Sequence, residues 1–287
     1  MEEKDWILLQ TLYNQQNITR TAEILFVSQP SLSYRIQQLE KEFGIKILYR
    51  GRRGVAFTPQ GEYLVKYAKE MMRQLQQTKE FLLSMENKIS GTLKIGTASS
   101  MARYKLPFIL KKFHMKYPDV EFKVTSNRSS ELVQSVYNQD VHLGFIRGDY
   151  HWAEEKHLIM TENIWIVSKQ KIALEELPNL SRITYKTDVS LENVFDNWWK
   201  ENFSKPPSIT MEVDNMETCK EMVLSGLGYA IIPSIVLENN EEMQRIQLRS
   251  RHGEPIMRNS WVIYRKASLQ IPFIQAFVDF IKKMTLM

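Results

Sequence analysis

The sequence predicts an α+β multidomain chain: a winged helix-turn-helix at the N-terminus, one long linker helix, and a C-terminal region of alternating strands and helices. Three observations carry that expectation. Two short segments of helical periodicity flank a tight turn at Ser28, and a basic, glycine-punctuated hairpin follows. From Leu64 onward, apolar positions recur at alternating steps of four and three. Beyond Gly91, short apolar runs alternate with amphipathic stretches to the end of the chain.

Trp6, Leu9, Leu12 and Tyr13 mark an amphipathic first helix, closed by the polar run 14–17. Ile18, Ala22 and Leu25 share one face of the next. Leu32, Ile36, Leu39 and Phe43 share one face of the third. Ser28 suits the N-cap of that third helix, because its hydroxyl accepts from an orphan N–H two or three residues on. Pro30 follows in the first turn, where a missing N–H costs little. Two helices joined by so short a turn cross steeply. With Leu32, Ile36 and Leu39 facing inward, Gln29, Ser31, Ser33, Tyr34, Arg35 and Gln37 are left outside or at the margin, with no carboxylate among them. Amide, hydroxyl and guanidinium groups of this kind hydrogen-bond base edges and phosphates in a major groove. Residues 45–49 suit a strand, 50–54 a turn and 55–57 a return strand. Arg50, Arg52 and Arg53 at that tip suit phosphate or a minor groove. Residues 19–60 hold seven Lys/Arg and three acids, a net +4 against +5 for the whole chain.

These motifs are ordered as in a known family. Thr21-Ala22-Glu23, Val27-Ser28-Gln29-Pro30-Ser31-Leu32-Ser33, Gln38-Leu39-Glu40, Leu48-Tyr49-Arg50 with Arg53, and Thr58-Pro59-Gln60-Gly61-Glu62 resemble the winged helix-turn-helix signature of bacterial LysR-type transcriptional regulators. The resemblance implies a DNA-binding end around Ser28 and Pro30. Gln29, Ser33, Tyr34 and Arg35 are then the base-edge candidates, and Ser31, Arg50, Arg52 and Arg53 the phosphate or minor-groove candidates. Many relatives carry a basic residue where Tyr34 stands, so base preference is expected to differ here.

After the wing, Thr58-Pro59 is a helix start, with Thr as N-cap and Pro in the first turn. Leu64, Ala68, Met71, Leu75, Thr78, Leu82 and Met85 form a heptad seam. The expected partner is the same seam in a second subunit; the alternative is the chain's own C-terminal region. The resemblance agrees with a homodimer and further implies a homotetramer.

Beyond a boundary at 88–91, strands are expected at 92–97, 120–125, 141–146, 164–167, 209–213, 229–232 and 261–264. Helices are expected at 106–113, 131–138, 194–203, 216–225 and 271–282. Such alternation argues for parallel sheets with helices on both faces. In the family this region is a two-lobed, periplasmic-binding-protein-like effector domain. Gly226-Leu227-Gly228-Tyr229-Ala230-Ile231-Ile232-Pro233 resembles its second-lobe turn and strand. The expected domains are 1–58 for the winged helix-turn-helix, 59–89 for the linker and dimerisation helix, and 90–287 for the regulatory domain. Within the last, lobe I spans about 90–162 and 267–287 and lobe II about 163–266. Residues 150–191 hold no diagnostic motif.

Ligands of open α/β sheets bind outside the carboxyl ends of strands. Ser99, Ser100 and Met101 follow the first strand, Ser129 and Ser130 follow the second, and Thr218 opens a second-lobe helix. Free N–H groups at such points suit carboxylates or phosphates. Arg147, in the same layer, is expected to grip with both arms. The expected ligand is a small anionic effector, an organic acid or another anion. The alternative is that these serines only cap helices and Arg147 only pairs at the surface.

Composition sets the outer limits. At 287 residues, 43% hydrophobic and 25% charged, the chain is long enough for two or three domains. The lone Cys219 excludes an intrachain disulfide and fits a reducing compartment. The acidic start Met1-Glu2-Glu3-Lys4-Asp5 is unlike a signal peptide and no apolar run is of spanning length, so the cytoplasm is expected, with no membrane partner. Five histidines show no metal-ligand spacing, and the hydrolase elbow, phosphate loop and zinc-protease motifs are absent. The function these patterns indicate is a promoter-binding regulator answering to a small molecule. No cofactor or metal is expected; RNA polymerase is a candidate further partner. The competing readings are a regulator answering to a protein, and a solute-binding protein or enzyme with an accessory helix-turn-helix.

Overall fold

The computed structural model describes residues 1–51, 54–84, 89–237 and 243–284. The chain divides into two compact units, Met1–Leu83 and Ser84–Met287.

In the first unit, α1 (Glu3–Gln15), α2 (Ile18–Ile24) and α3 (Gln29–Phe43) enclose one core. Leu9 and Leu12 of α1, Ala22 of α2 and Leu32, Ile36 and Leu39 of α3 are almost wholly buried in it. Ser28 caps α3, its Oγ accepting from the Ser31 N–H at 3.3 Å. Strands β1 (Leu48–Gly51) and β2 (Gly54–Phe57) pair antiparallel. The wing's first strand is expected from Ile45 but begins at Leu48: Glu40 accepts the Ile47 N–H at 2.9 Å, leaving only the Ile47 carbonyl to pair, with the Thr58 N–H at 3.0 Å. Thr58 caps α4 (Pro59–Ser84), accepting from the Gly61 N–H at 2.9 Å while donating to the Lys46 carbonyl at 2.6 Å. Gly61 is required by this close approach: a Cβ there would lie 2.2 Å from the Ile47 oxygen.

The expected seam on α4 is partly used within its own domain. Leu64 and Ala68, with Val65, are buried in the core under α1–α3. Met71 and Leu75 are half-buried and Leu82 is exposed; Met85 lies outside the described residues. The expectation of one continuous intersubunit seam is therefore corrected at its first two positions: the helix must anchor to the winged domain before it can extend from it.

In the second unit the elements run β3 (Gly91–Thr97), α5 (Ser99–Tyr104), α6 (Leu106–Lys116), β4 (Val120–Ser126), α7 (Ser129–Tyr137), β5 (Leu143–Arg147) and β6 (Glu155–Ser168). Then follow β7 (Arg182–Tyr185), α8 (Val189–Asn202), β8 (Ile209–Val213), α9 (Met216–Leu224), β9 (Tyr229–Pro233), β10 (Gln244–Gln247), β11 (Met257–Tyr264) and α10 (Pro272–Lys282). Among the described residues the main sheet runs β4-β3-β5-β11-β6-β9-β7-β8, with β10 on β6. β3 is parallel to β4 and β5, and β7 is parallel to β8 and β9. Between these parallel groups, β6 and β11 run antiparallel to their neighbours. The sheet is thus mixed where parallel pairing was expected.

The 14-residue strand β6 joins the lobes: its first part pairs with β11 and its last residues with β9 and β10. Because β11 also pairs with β5, it belongs with the first lobe, and the expected return at 267 comes instead near Met257. Strand β7 falls in the stretch that held no motif; at four residues it is too short to show a period. Phe113 of α6 meets Phe277 of α10 edge-on at 4.8 Å, so the closing helix seals the first lobe's core.

Candidate functional site

The N-terminal end of α3 presents a polar, acid-free surface. Ser28, Gln29, Pro30, Ser31 and Tyr34 are exposed and Ser33 half-exposed. Ser28 Oγ donates to Ser31 Oγ at 2.9 Å, and Gln29 Nε2 to Ser33 Oγ at 3.4 Å. Arg35, half-exposed at the margin of this surface, is tethered and not free as expected. Its Nε and a terminal nitrogen donate to the two Asp5 oxygens, both at 2.6 Å, tying α3 to α1. Asp5 is 2% exposed; burial opposes its charge, but the Arg35 and Glu2 hydrogen bonds prevail and hold the carboxyl below its usual range. Beside this end stands Phe26, 96% exposed with φ 55°, a residue the periodicity did not single out. Arg50 lies in β1, whereas Arg52 and Arg53 lie outside the described residues.

In the second unit a cleft of about 270 Å³ lies between the lobes, with the first turns of α7, α8 and α9 opening onto it. Its floor carries two buried ion pairs. Arg147, on β5, is 2% exposed; its guanidinium pairs with Glu162 of β6 and donates to Ser100 Oγ. Its backbone N–H donates to Ser129 Oγ at 3.1 Å, and the other Glu162 oxygen accepts from the Ile235 N–H at 2.7 Å. Burial and the neighbouring Arg258 lower the Arg147 pKa, against the pull of Glu162. Arg258, on β11, pairs with Asp188, which also accepts from the Leu191 N–H at 3.1 Å as the cap of α8, and from Tyr150 Oη at 3.3 Å. Burial and Asp188 push the Tyr150 phenol up to about 12, so it stays a donor. Gly148 permits this junction, because a Cβ there would lie 2.6 Å from Ser190 Oγ and its φ is +97°.

Ser99, Ser100, Ser129 and Arg147 are therefore brought to one cleft, and three other expectations need correction. Met101 is fully buried in the first-lobe core, because a helical residue one step past the exposed turn points to the sheet. Ser130 and Thr218 do not line the cleft; from α9 it is Asn215, Met216 and Glu217 that do. Arg147 is no free two-armed grip, since Glu162 and Ser100 already hold it. Among the described residues no group of three or more His, Cys, Asp or Glu is placed to hold a metal, and no helix is long and apolar enough to cross a membrane.

The pattern of the bacterial regulatory helix-turn-helix protein of the lysR family matches residues 4–62, and that of the LysR substrate binding domain matches residues 86–285. The chain belongs to the LysR family. This LysR-type regulator is 41% identical to the uncharacterized HTH-type transcriptional regulator YraN of Bacillus subtilis (strain 168), over 98% of each chain. It is 35% identical to YkuM of the same organism, over 99% of this chain and 98% of that one. Both relatives are named as transcriptional regulators, not enzymes. The fold matches the crystal structure of CbnR, a LysR family transcriptional regulator, at a TM-score of 0.71 and 18% identity over 99% of both chains.

Among the residues of this regulator's cleft that sequence reasoning missed and the fold brings in are Lys186, Asp188 and Arg258. Asp188 had a readable signal, an acid at the N-cap of an amphipathic run. Arg258 had none, because only its pairing across from Glu162 on β6 puts it on the cleft floor.

Proposed function

We propose that this regulator binds promoter DNA as a dimer through the N-terminal end of α3, and that a small organic acid or similar anion in the interlobe cleft modulates that binding. The observation that carries the first half is the exposed end of α3, where amide, hydroxyl and phenol groups stand without a carboxylate. Such groups suit base edges and phosphates, and exposed Phe26 suits a thymine methyl. CbnR, similar in fold, has been solved in complex with its target DNA. The second half is supported by the helix N-termini at the cleft and by Arg128, exposed there and in no ion pair among the described residues. An incoming carboxylate competes with Asp188 for Arg258. Because that pair joins β11 to the α8 cap, the exchange alters how the lobes close. The size of the switch is set by the effector's different affinity for the two arrangements. Dimers assemble through the exposed part of α4 and pair further into tetramers, with RNA polymerase as the downstream contact.

Footprinting on the promoter adjoining the gene, with and without a panel of organic acids, tests this. A protected site whose extent or affinity changes with one acid is the expected result. A site indifferent to every acid but shifted by cell extract after removal of small molecules points to a protein signal; no protected site at any salt concentration defeats the DNA reading.

A further inference from the structure

A second cavity, of about 280 Å³, opens inside the second lobe between α8 and the strands β7 and β8. Arg182, the first residue of β7, stands in its wall and is 6% exposed. A buried guanidinium normally rests on a carboxylate, because an unpaired buried cation is among the most costly groups a fold can hold. Arg147 and Arg258 follow that rule, on Glu162 and Asp188. Arg182 does not. Among the described residues no ion pair reaches it, its Nε has no hydrogen-bond partner, and its guanidinium lies 5.4 Å from the Trp199 ring centroid. Burial pulls its pKa down, against the opposing pull of Tyr229 and Asp196.

The exposed rim of the same cavity is mostly of the opposite sign, its one exposed cation, Lys186, being paired with Asp214. Glu192 and Asp196 of α8 and Glu212 of β8 line it and are exposed to solvent, while Phe195 and Ile209 give it apolar sides. A simple anion approaching Arg182 passes three like charges. A zwitterion meets a cation inside and carboxylates outside. We propose that this cavity is a second ligand site of the regulatory domain, taking a small amino acid whose carboxylate sits on Arg182 and whose ammonium faces Glu192, Asp196 and Glu212. Lys186 and Thr187 line both this cavity and the interlobe cleft, so occupancy here reaches the edge of the other site.

The test is calorimetry on the full-length protein without DNA. The probes are the proteinogenic L-amino acids, with the matching amines and N-acetyl amino acids. At least one amino acid is expected to bind, and its amine and its N-acetyl form to bind at least about tenfold more weakly. Arg182→Met should weaken that amino acid by at least about tenfold and leave the melting temperature unchanged or raised, since it replaces an unpaired buried charge with an apolar chain of similar length. The exposed pair Glu192→Gln with Asp196→Asn, which threatens no core, should weaken it by about threefold or more. No amino acid bound, equal binding of the N-acetyl form, binding unchanged in either cavity variant, or a marked fall in the Arg182→Met melting temperature each overturns the proposal. None of these readings depends on promoter binding, and the Arg182→Met loss separates this cavity from the interlobe cleft, whose lining does not include Arg182.

Discussion

Two carboxylates decide much at the scale of single residues. Asp5 looks like an ordinary N-terminal acid, yet it is buried and holds the Nε and one terminal nitrogen of Arg35. Asp5→Asn should destabilise the winged domain by about 1–3 kcal/mol, measured by denaturant unfolding near neutral pH. The folded pKa of Asp5 is lowered, so its contribution is full above the unfolded value of 3.8 and fades as pH falls through the folded value. The stability gap between wild type and variant should therefore close in acid, and a gap independent of pH would show that packing, not charge, makes the contact. Asp188 is the second case. Asn keeps the α8 cap but gives up the charge on Arg258. Asp188→Asn should thus bind organic acids more tightly, by about tenfold in calorimetry, whereas weaker binding would mean that Asp188 contacts the ligand itself.

Among the elements, α3 and α4 show how a cap or a close approach fixes a helix in place. Ser28 satisfies an orphan N–H at the end of α3 proposed to meet DNA. Ser28→Ala should cost about 1 kcal/mol of stability and weaken promoter binding in a gel shift; loss of stability alone would separate the cap from the interface. Gly61 lets α4 lie against the Ile47 carbonyl. Gly61→Ala should destabilise by about 1–3 kcal/mol in thermal unfolding, because backbone cannot give way as a side chain can. Both residues were legible beforehand, Ser28 as a cap and Gly61 within the Thr58-Pro59 start. The partial burial of the α4 seam was not, because apolar spacing does not say which partner covers each turn.

For the whole molecule, exposed Leu82 and half-buried Met71 and Leu75 leave an apolar stripe on α4. Sedimentation should show a dimer at micromolar concentration, and Leu75→Glu should shift it toward monomer and reduce promoter affinity. A dimer that forms on DNA places two α3 helices about 34–36 Å apart, so footprints should show half-sites one helical turn, or a multiple of it, apart. Equal promoter affinity in a proven monomer would rule that geometry out.

The sequence by itself determined most of the order of the elements, though not α5, β7 or β10, with the ends of α3, the start of α4 and the family, because caps, prolines and apolar periods act over a few neighbouring residues. It brought Ser99, Ser100 and Ser129 near one sheet edge by the same local logic. Only the tertiary structure decided that Arg35 turns to Asp5, that Arg147 is spent on Glu162, that Arg258 meets Asp188, and that Arg182 is buried with no ion pair among the described residues. The first three depend on a partner elsewhere in the chain and the last on the lack of one among the described residues, and a charge carries no sequence mark of which distant charge will face it.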